Sequence, residues 1–272
     1  MQQSWQNKVV LITGGSAGLG RAIAAEFAAA GANVAIVGRD VPKLNQTAAE
    51  LGGAEQRVVA VPGDITRDED VQRIVEQTLA RFGHIDVLVN CAGRSARGKL
   101  LEVPLAEFRD LWELNFLATV RMTQACAAEL TKSHGQVVNI GSLSSKVATR
   151  FLGAYAASKF PVAAFSQQLR LEWANDGVNV LLVCPGPIAR DDAGARYAAQ
   201  SQNLPESARK PGGGVKLKGI RPELLAKRIR VACERREVEL VLPWKARVLF
   251  ALGQLWPKLG DWLLTKFTSS KT

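Results

Sequence analysis

The sequence predicts an α/β fold in which a doubly wound parallel sheet carries helices on both faces. Short apolar runs alternate with stretches of helical periodicity along most of the 272 residues, and this alternation is typical of strands joined by helical crossovers. Each run is apolar along its length, as expected of a strand that is buried on both faces of a sheet. Small and polar residues follow the predicted strands, so they should meet at the carboxyl edge of the sheet.

Length and composition indicate a globular chain with one core. Hydrophobic residues make up 47% of the sequence and charged residues 22%, so we expect a single domain over residues 1–272. The amino terminus lacks the apolar core of a signal peptide and no apolar run reaches about 18 residues, which predicts a cytoplasmic protein. The four cysteines and two histidines lack metal-ligand spacing, so no metal is expected.

The first predicted strand covers residues 9–12 and leads into a glycine-rich turn and a helix that runs to residue 30. Glycines in such a turn let backbone amides approach phosphate oxygens at the positive end of the helix. The alternative is a tight turn that only packs the helix against the strand. The cofactor contacts predicted in this turn are Gly14, Ser16, Ala17, Gly18, Leu19 and Gly20.

The second predicted strand, residues 33–37, ends where the ribose of a dinucleotide would be bound. An acidic residue there would accept a hydrogen bond from the 2′-hydroxyl of NAD, whereas an arginine accommodates the 2′-phosphate of NADP. Gly38 and Arg39 follow the strand directly. NADP(H) is therefore favoured, and NAD(H) is the alternative that Asp40 would support.

The third and fourth predicted strands, residues 57–61 and 85–89, also end in candidate cofactor contacts. Asp64 could meet an adenine edge, and capping the local turn is its alternative role. Small residues after the fourth strand would let the backbone approach the cofactor ribose. The predicted contacts after these two strands are Asp64, Ile65, Asn90, Ala92 and Gly93.

Two long helices, predicted at residues 104–132 and 153–174, flank a fifth strand at residues 136–142. This strand would deliver the hydroxyl of Ser142 to the carboxyl edge. A sixth strand at residues 178–184 runs into a stiff turn. The predicted cofactor contacts in that turn are Pro185, Gly186 and Ile188.

Tyr155 and Lys159 are the reactive pair of the sequence, since positions four apart lie on the same face of a helix. A phenol titrates near ~10, and a fixed positive charge beside it would lower that pKa. Tyr155 could then serve as a general acid or base. The alternative is an ordinary helix that carries a surface tyrosine and lysine.

Residues 189–219 are rich in glycine, proline and small polar residues, which predicts a substrate lid. After a helix at 222–236 and a strand at 238–242, the tail at residues 243–272 is basic and rich in tryptophan. It predicts two amphipathic helices broken at Pro257.

The basic charge of the chain is concentrated near its end. Residues 215–272 hold 13 Lys and Arg against 5 Asp and Glu, whereas residues 1–214 hold 22 against 20. Nucleic acid is not an expected partner, because no zinc finger, helix-turn-helix or aromatic-basic RNA platform accompanies the charge. Either the tail lies in the headgroup plane of a membrane as a peripheral contact, or it covers the substrate pocket or a subunit partner.

One ordered set of motifs runs through the chain. It consists of Thr13-Gly14-x-x-x-Gly18-x-Gly20, Asp64, Asn90-Cys91-Ala92-Gly93, Asn115, Ser142, Tyr155-x-x-x-Lys159 and Pro185-Gly186. Over about residues 8–190 this set resembles the short-chain dehydrogenase/reductase family. The resemblance implies a seven-stranded Rossmann-like sheet that binds NAD(P) and transfers hydride between the cofactor and an alcohol or carbonyl.

The resemblance also implies four catalytic roles. Tyr155 would be the acid/base, and Lys159 would lower its pKa and hold the nicotinamide ribose. Ser142 would position the substrate oxygen. Asn115 would support a proton-relay water, and kinking or capping the helix is its alternative role. A homodimer or homotetramer is implied, because the two long helices of such proteins commonly pack across a subunit interface.

The predicted function is therefore NADP(H)-dependent interconversion of a carbonyl and a secondary alcohol on a moderately apolar or lipid-like small molecule. A catalytically idle dinucleotide-sensing or scaffold protein of the same fold is the alternative. The intact Ser142, Tyr155 and Lys159 favour the enzyme.

Overall fold

Seven strands form one sheet in which every pairing is parallel. The strands are β1 (Val9–Thr13), β2 (Asn33–Gly38), β3 (Val58–Pro62), β4 (Val87–Asn90), β5 (Gln136–Ile140), β6 (Asn179–Pro185) and β7 (Glu239–Leu242). Their order across the sheet is β3-β2-β1-β4-β5-β6-β7. The chain crosses over between β3 and β4, and this reversal opens a crevice at the carboxyl edge next to β1 and β4.

The computed structural model describes residues 5–52, 57–190 and 217–268. Between 190 and 217 it describes only residues 197, 199–202, 204, 205, 208 and 212. The helices are α1 (Gly18–Ala29), α2 (Val41–Gly52), α3 (Asp68–Phe82), α4 (Leu105–Trp112), α5 (Ala118–Lys132), α6 (Tyr155–Glu172), α7 (Pro222–Glu234), α8 (Ala246–Leu255) and α9 (Pro257–Thr268). Most of the predicted lid, residues 189–219, and the end of the tail lie outside the described residues.

Helices cover both faces of the sheet, as the apolar runs predict. Ile12 of β1 packs in one cluster with residues of α1 and α7, including Phe27 and Ile229. Its neighbour Leu11 packs in a second cluster with residues of α3 and α5, including Ile74. Successive strand residues point to opposite faces, so a strand covered on both sides must be apolar throughout. The predicted doubly wound fold is confirmed.

Two predicted elements differ from the structure near the site. The helix expected at residues 104–132 is interrupted by a π-helical segment, Glu113–Leu117, which separates α4 from α5. The strand expected at 136–142 ends at Ile140, and Ser142 instead begins a short 3₁₀ helix, Leu143–Ser145. Both irregularities fall on residues that the motifs singled out, as is common where a backbone serves a site.

The tail forms a helical hairpin. α8 ends before Pro257 and α9 begins at it, so the predicted break is confirmed. The two helices approach closely through glycines, since a Cβ built on Gly260 would lie 2.6 Å from the Cα of Gly253. Phe250 of α8 packs against the small cluster that contains Val241 of β7. No helix within the described ranges combines the length and apolar character needed to cross a bilayer.

Candidate active site

A cavity of about 980 Å³ opens at the carboxyl edge of the sheet. Its walls come from the segments that follow β1 to β6 and from the tail hairpin. The predicted site residues that line it are Gly14, Ser16, Ala17, Gly18, Leu19, Gly20, Arg39, Asp64, Ile65, Ala92, Gly93, Ser142, Tyr155, Lys159, Pro185, Gly186 and Ile188. Asn90 and Asn115 are the two predicted residues that do not line it.

The turn after β1 is packed so tightly that only glycine fits at key positions. A Cβ on Gly20 would lie 2.1 Å from the carbonyl oxygen of Gly14, and a Cβ on Gly14 would lie 2.9 Å from the Cα of Ala92. Gly14 also has a φ of +69°. Ala17 precedes α1 without a side-chain cap, and the first turn of α1 holds no acidic residue. The free amides of this helix start therefore suit the phosphates of a dinucleotide.

The end of β2 presents a cation beside a carboxylate. A guanidinium nitrogen of Arg39 lies 3.6 Å from an oxygen of Asp64. The same carboxylate accepts hydrogen bonds from the backbone amide and the hydroxyl of Thr66, at 3.0 and 2.8 Å. Burial would raise the pKa of Asp64, but these hydrogen bonds and the charge of Arg39 outweigh it and lower the pKa. Asp64 thus stabilises its turn as well as lining the cavity.

The side chain of Asn90 points away from the cavity into the structure, so its predicted cofactor contact stays a prediction that only its backbone could fulfil. Its amide donates hydrogen bonds to Asn139 at 2.9 Å and to Thr123 at 3.2 Å, and Asn139 donates in turn to Ser166. Alternation along β4 turns Asn90 toward the helices and leaves the next residue, Cys91, at the cavity. Burial raises the pKa of the Cys91 thiol to about 12, so it is protonated and a poor nucleophile.

Asn115 is fully buried in the π-helical segment and uses its whole side chain to hold the loop after β4. Its amide oxygen accepts from the Arg94 backbone amide at 2.9 Å. Its amide nitrogen donates to the Arg94 carbonyl and to the Ser158 hydroxyl, both at 2.9 Å. The side chain does not reach the cavity. These contacts support the alternative structural role of Asn115, and its support of a proton-relay water stays a prediction.

Tyr155, Ser142 and Lys159 come together at the junction of β5 and α6. The Ser142 hydroxyl lies close enough to Tyr155 to act on the pKa of its phenol, in the direction that lowers it. This hydroxyl accepts a hydrogen bond from the backbone amide of Ser144 at 3.0 Å. Lys159 is 5% exposed, and its ammonium donates to the Ile140 carbonyl at 2.8 Å. The short 3₁₀ helix after β5 is what turns Ser142 toward the tyrosine.

Burial controls the protonation of the pair. It raises the pKa of Tyr155, against the Ser142 hydroxyl and the charge of Arg97. It lowers the pKa of Lys159 to about 8. The sequence predicts that Lys159 lowers the pKa of Tyr155. In the structure its ammonium donates to the Ile140 carbonyl, and enclosure is the largest influence on the pKa of the phenol. Tyr155 is therefore protonated at neutral pH, the form that can donate a proton.

Sequence reasoning missed Arg97 and Tyr197, which also line the cavity. Arg97 is 3% exposed, and its guanidinium carbon lies 3.8 Å from the centre of the Tyr197 ring. Its Nε donates to the Ala208 carbonyl at 2.8 Å. An arginine in a polar stretch after a strand gives no signal of burial, so only the fold reveals that it joins this loop to the predicted lid.

The comparison with protein families decides the classification of this fold and site. The model of the short chain dehydrogenase family matches residues 8–201. The chain belongs to the short-chain dehydrogenase family. Membership makes it an oxidoreductase acting on alcohol and carbonyl groups, and the resemblance read from the motifs is confirmed.

Two curated relatives and one solved structure illustrate the family's range. The chain is 37% identical over 185 residues to L-fucose dehydrogenase of Mus musculus, a match covering 68% of this chain and 66% of that enzyme. It is 30% identical over 269 residues to dehydrogenase/reductase SDR family member 7B of Danio rerio, covering 93% and 83%. L-Sorbose reductase from Gluconobacter frateurii, solved with NADPH and L-sorbose, matches with a TM-score of 0.78 and 26% identity over 89% of this chain and 97% of that one.

The positive charge of Arg97 predicts a measurable effect on the pH dependence of the reaction. If Tyr155 is the acid/base that the motifs predict, alcohol oxidation needs its phenol deprotonated, and the rate should rise with pH until the pKa of the phenol is passed. Because the charge of Arg97 lowers that pKa, Arg97→Met should shift the pH profile of oxidation toward alkaline pH. Arg97→Lys should hold the midpoint near that of the wild type. A lower kcat in Arg97→Met with an unchanged midpoint would show that Arg97 is only structural.

Proposed function

We propose that this protein is an NADP(H)-preferring oxidoreductase that interconverts a ketone and a secondary alcohol on a moderately apolar substrate. The observation that carries the proposal is that one cavity combines a glycine cradle, Arg39, the Tyr155–Ser142 pair and an apolar wall. That apolar wall consists of Leu143, Val147, Leu152, Leu217, Leu249, Phe250 and Leu264.

The residues present fit a dinucleotide. The start of α1 would hold the phosphates. The turn before it is built from glycines that leave no room for side chains, so phosphate oxygens could reach the backbone amides of the helix. Arg39 would pair with the 2′-phosphate of NADP, as a planar guanidinium suits phosphate geometry. Gly93 packs closely beside Lys159, since a Cβ there would lie 3.5 Å from the ammonium and only 2.8 Å from the amide oxygen of Asn115. Lys159 would hold the nicotinamide ribose there.

The proton step of the reaction follows from the site residues. When bound, the cofactor supplies or accepts the hydride at the substrate carbon. Reduction leaves negative charge on the substrate oxygen, and the hydroxyls of Ser142 and Tyr155 stabilise that charge as it develops. Tyr155 then gives its proton to this oxygen, and oxidation runs the same transfer backward. The raised pKa of Tyr155 keeps the phenol protonated at neutral pH, which is the form that donates to the substrate oxygen in reduction.

The apolar wall distinguishes the proposed substrate from a sugar. Leu249, Phe250 and Leu264 of the tail hairpin supply apolar surface to the cavity beside Lys245, and burying a ligand's apolar surface there contributes about 25 cal/mol per Å². Absorbance assays should show faster NADPH oxidation with a long-chain ketone than with L-sorbose. Turnover restricted to the sugar would contradict the proposed substrate class, and no NADPH-dependent turnover of either would favour the idle-sensor alternative.

The cofactor preference rests on Arg39 and predicts a selective loss. Arg39→Ser should weaken NADPH binding about tenfold, or ~1.4 kcal/mol, and leave NADH binding unchanged, because only NADPH carries the 2′-phosphate. Arg21→Ser is the matched control, since Arg21 pairs with Glu50 on the surface and does not line the cavity. Fluorescence titration with both cofactors measures the effect. Equal weakening of NADPH binding and NADH binding would contradict the proposed contact of Arg39 with the 2′-phosphate.

We further propose the organisation of the chain around this site. Residues 1–272 would form a single domain, with residues 189–219 acting as a lid. Tyr197, Gly212 and Leu217 support the lid, because these residues of that segment line the cavity. The active form would be a homodimer or homotetramer, which sedimentation analysis of the purified chain would test.

A further inference from the structure

The tail hairpin, defined as α8 and α9 with the preceding Trp244 and Lys245, has two apolar faces. Its inner face contributes Leu249, Phe250 and Leu264 to the cavity. Its outer face exposes a set of large apolar side chains between 39% and 68%. They are Trp244, Val248, Leu255, Trp256, Leu259 and Trp262. Exposed apolar residues are ordinary when scattered, but a concentration of this kind marks an interaction surface.

The charges on the hairpin are almost all positive. Its described residues include Lys245, Arg247, Lys258 and Lys266, with Asp261 as the acidic residue among them. Lys245 lines the cavity and Arg247 lies 3.9 Å from a carboxylate oxygen of Glu239, so Lys258 and Lys266 are the cations left for the outer face. The Lys266 ammonium lies 4.9 Å from the centre of the Trp262 ring, so a cation and an indole share one part of this surface. A surface that interleaves tryptophans with lysines has the chemistry of the membrane interface, where amphipathic rings and long basic stems meet headgroups.

We propose that the outer face of the tail hairpin binds the surface of a bilayer that contains anionic lipids. The charge favours this occupant over a second copy of the chain, because an isologous contact would bring two basic surfaces together. Each helix is too short to span, since α8 has 10 residues and α9 has 12 and a crossing needs about 20. The hairpin would therefore lie in the headgroup plane, with its inner face still lining the cavity.

Vesicle sedimentation of the full chain tests this directly, without any substrate. Vesicles of phosphatidylcholine with about 30% phosphatidylserine have a negative surface potential of about 30 mV. The wild-type protein should bind them and sediment with them. Phosphatidylcholine alone should retain at least about tenfold less, and added salt should release the bound protein. The double variant Trp256→Ser/Trp262→Ser should lose about tenfold or more of the binding.

Matched controls distinguish binding through the outer face of the hairpin from nonspecific hydrophobic adsorption. Leu101→Ser and Leu224→Ser replace residues that are 100% and 49% exposed outside the hairpin, and both should bind vesicles like the wild type. Trp256 and Trp262 do not line the cavity, so turnover of a soluble ketone should persist in their variant. That readout keeps failure of the membrane proposal distinct from failure of the proposed function.

Two results would overturn the proposal. The first is vesicle binding that is absent, or that is equal for both lipid compositions. The second is a wild-type dimer that ignores vesicles and becomes monomeric in Trp256→Ser/Trp262→Ser by light scattering, which would assign the face to a second copy of the chain.

Discussion

Replacing Tyr155 by Phe is expected to lower kcat for ketone reduction by about 10² to 10⁴, with NADPH binding nearly unchanged. The variant keeps the ring that packs near Leu111 and Ala154 and removes only the hydroxyl at the cavity. The substrate oxygen would then lose both a proton donor and a stabilising hydrogen bond as its negative charge develops. Steady-state kinetics with fluorescence titration of NADPH measure the two quantities separately.

Tyr197→Phe is the matched control for that prediction, because Tyr155 and Tyr197 are the two tyrosines of the sequence. Both line the cavity, but the ring of Tyr197 is what contacts the Arg97 guanidinium. Its Phe variant keeps that ring, so its kcat should stay within a few-fold of the wild type. If Tyr155→Phe were as active as Tyr197→Phe, another residue would have to supply the proton.

Replacing Gly20 by Ala is expected to abolish measurable cofactor binding and to destabilise the chain by about 1–3 kcal/mol, the usual cost of overpacking. The added Cβ would lie 2.1 Å from the Gly14 carbonyl oxygen, and neither atom belongs to a flexible side chain. The turn after β1 must open to relieve the contact, which moves the amides at the start of α1 away from the phosphates. Urea unfolding and NADPH titration measure the two effects.

Gly83→Ala is the control for the generic cost of adding a methyl group to a glycine. Gly83 follows α3 with a φ of +84°, no atom lies within 4 Å of its added Cβ, and it does not line the cavity. Its variant should lose about 1–2 kcal/mol from the left-handed backbone and bind NADPH normally. Normal NADPH binding by Gly20→Ala would show that the turn does not hold the cofactor.

The sequence alone was sufficient where the signal is local. The apolar runs predicted all seven strands, because a strand buried on both faces must be apolar along its length. Gly14, Gly18 and Gly20 predicted the turn, since a close backbone approach excludes any side chain. Pro257 predicted the break between the tail helices, because proline lacks the amide that a continuing helix needs.

The motifs identify residues such as Asn90 and Asn115, but they do not show which partners the side chains of these residues contact. Asn90 stands in the expected motif, yet its side chain turns toward Asn139 and Thr123. The sequence predicts one long helix around Asn115, but the structure places this residue in a π-helical interruption, where it contacts Arg94 and Ser158. The direction of a side chain at a strand end or a helix bulge depends on packing, which one-dimensional spacing does not contain.

The sequence by itself determined the fold, the family motifs and the identity of the reactive pair, because each is a pattern of neighbours along the chain. The tertiary structure decided the surroundings of that pair, since the enclosure that raises the pKa of Tyr155 and the contact of Lys159 with Ile140 arise only when β5 and α6 meet. It also decided that Arg97 is buried at the cavity and that the tail presents one apolar face inward and another outward. These properties depend on which surfaces lose water on folding, and that is fixed by contacts between distant parts of the chain.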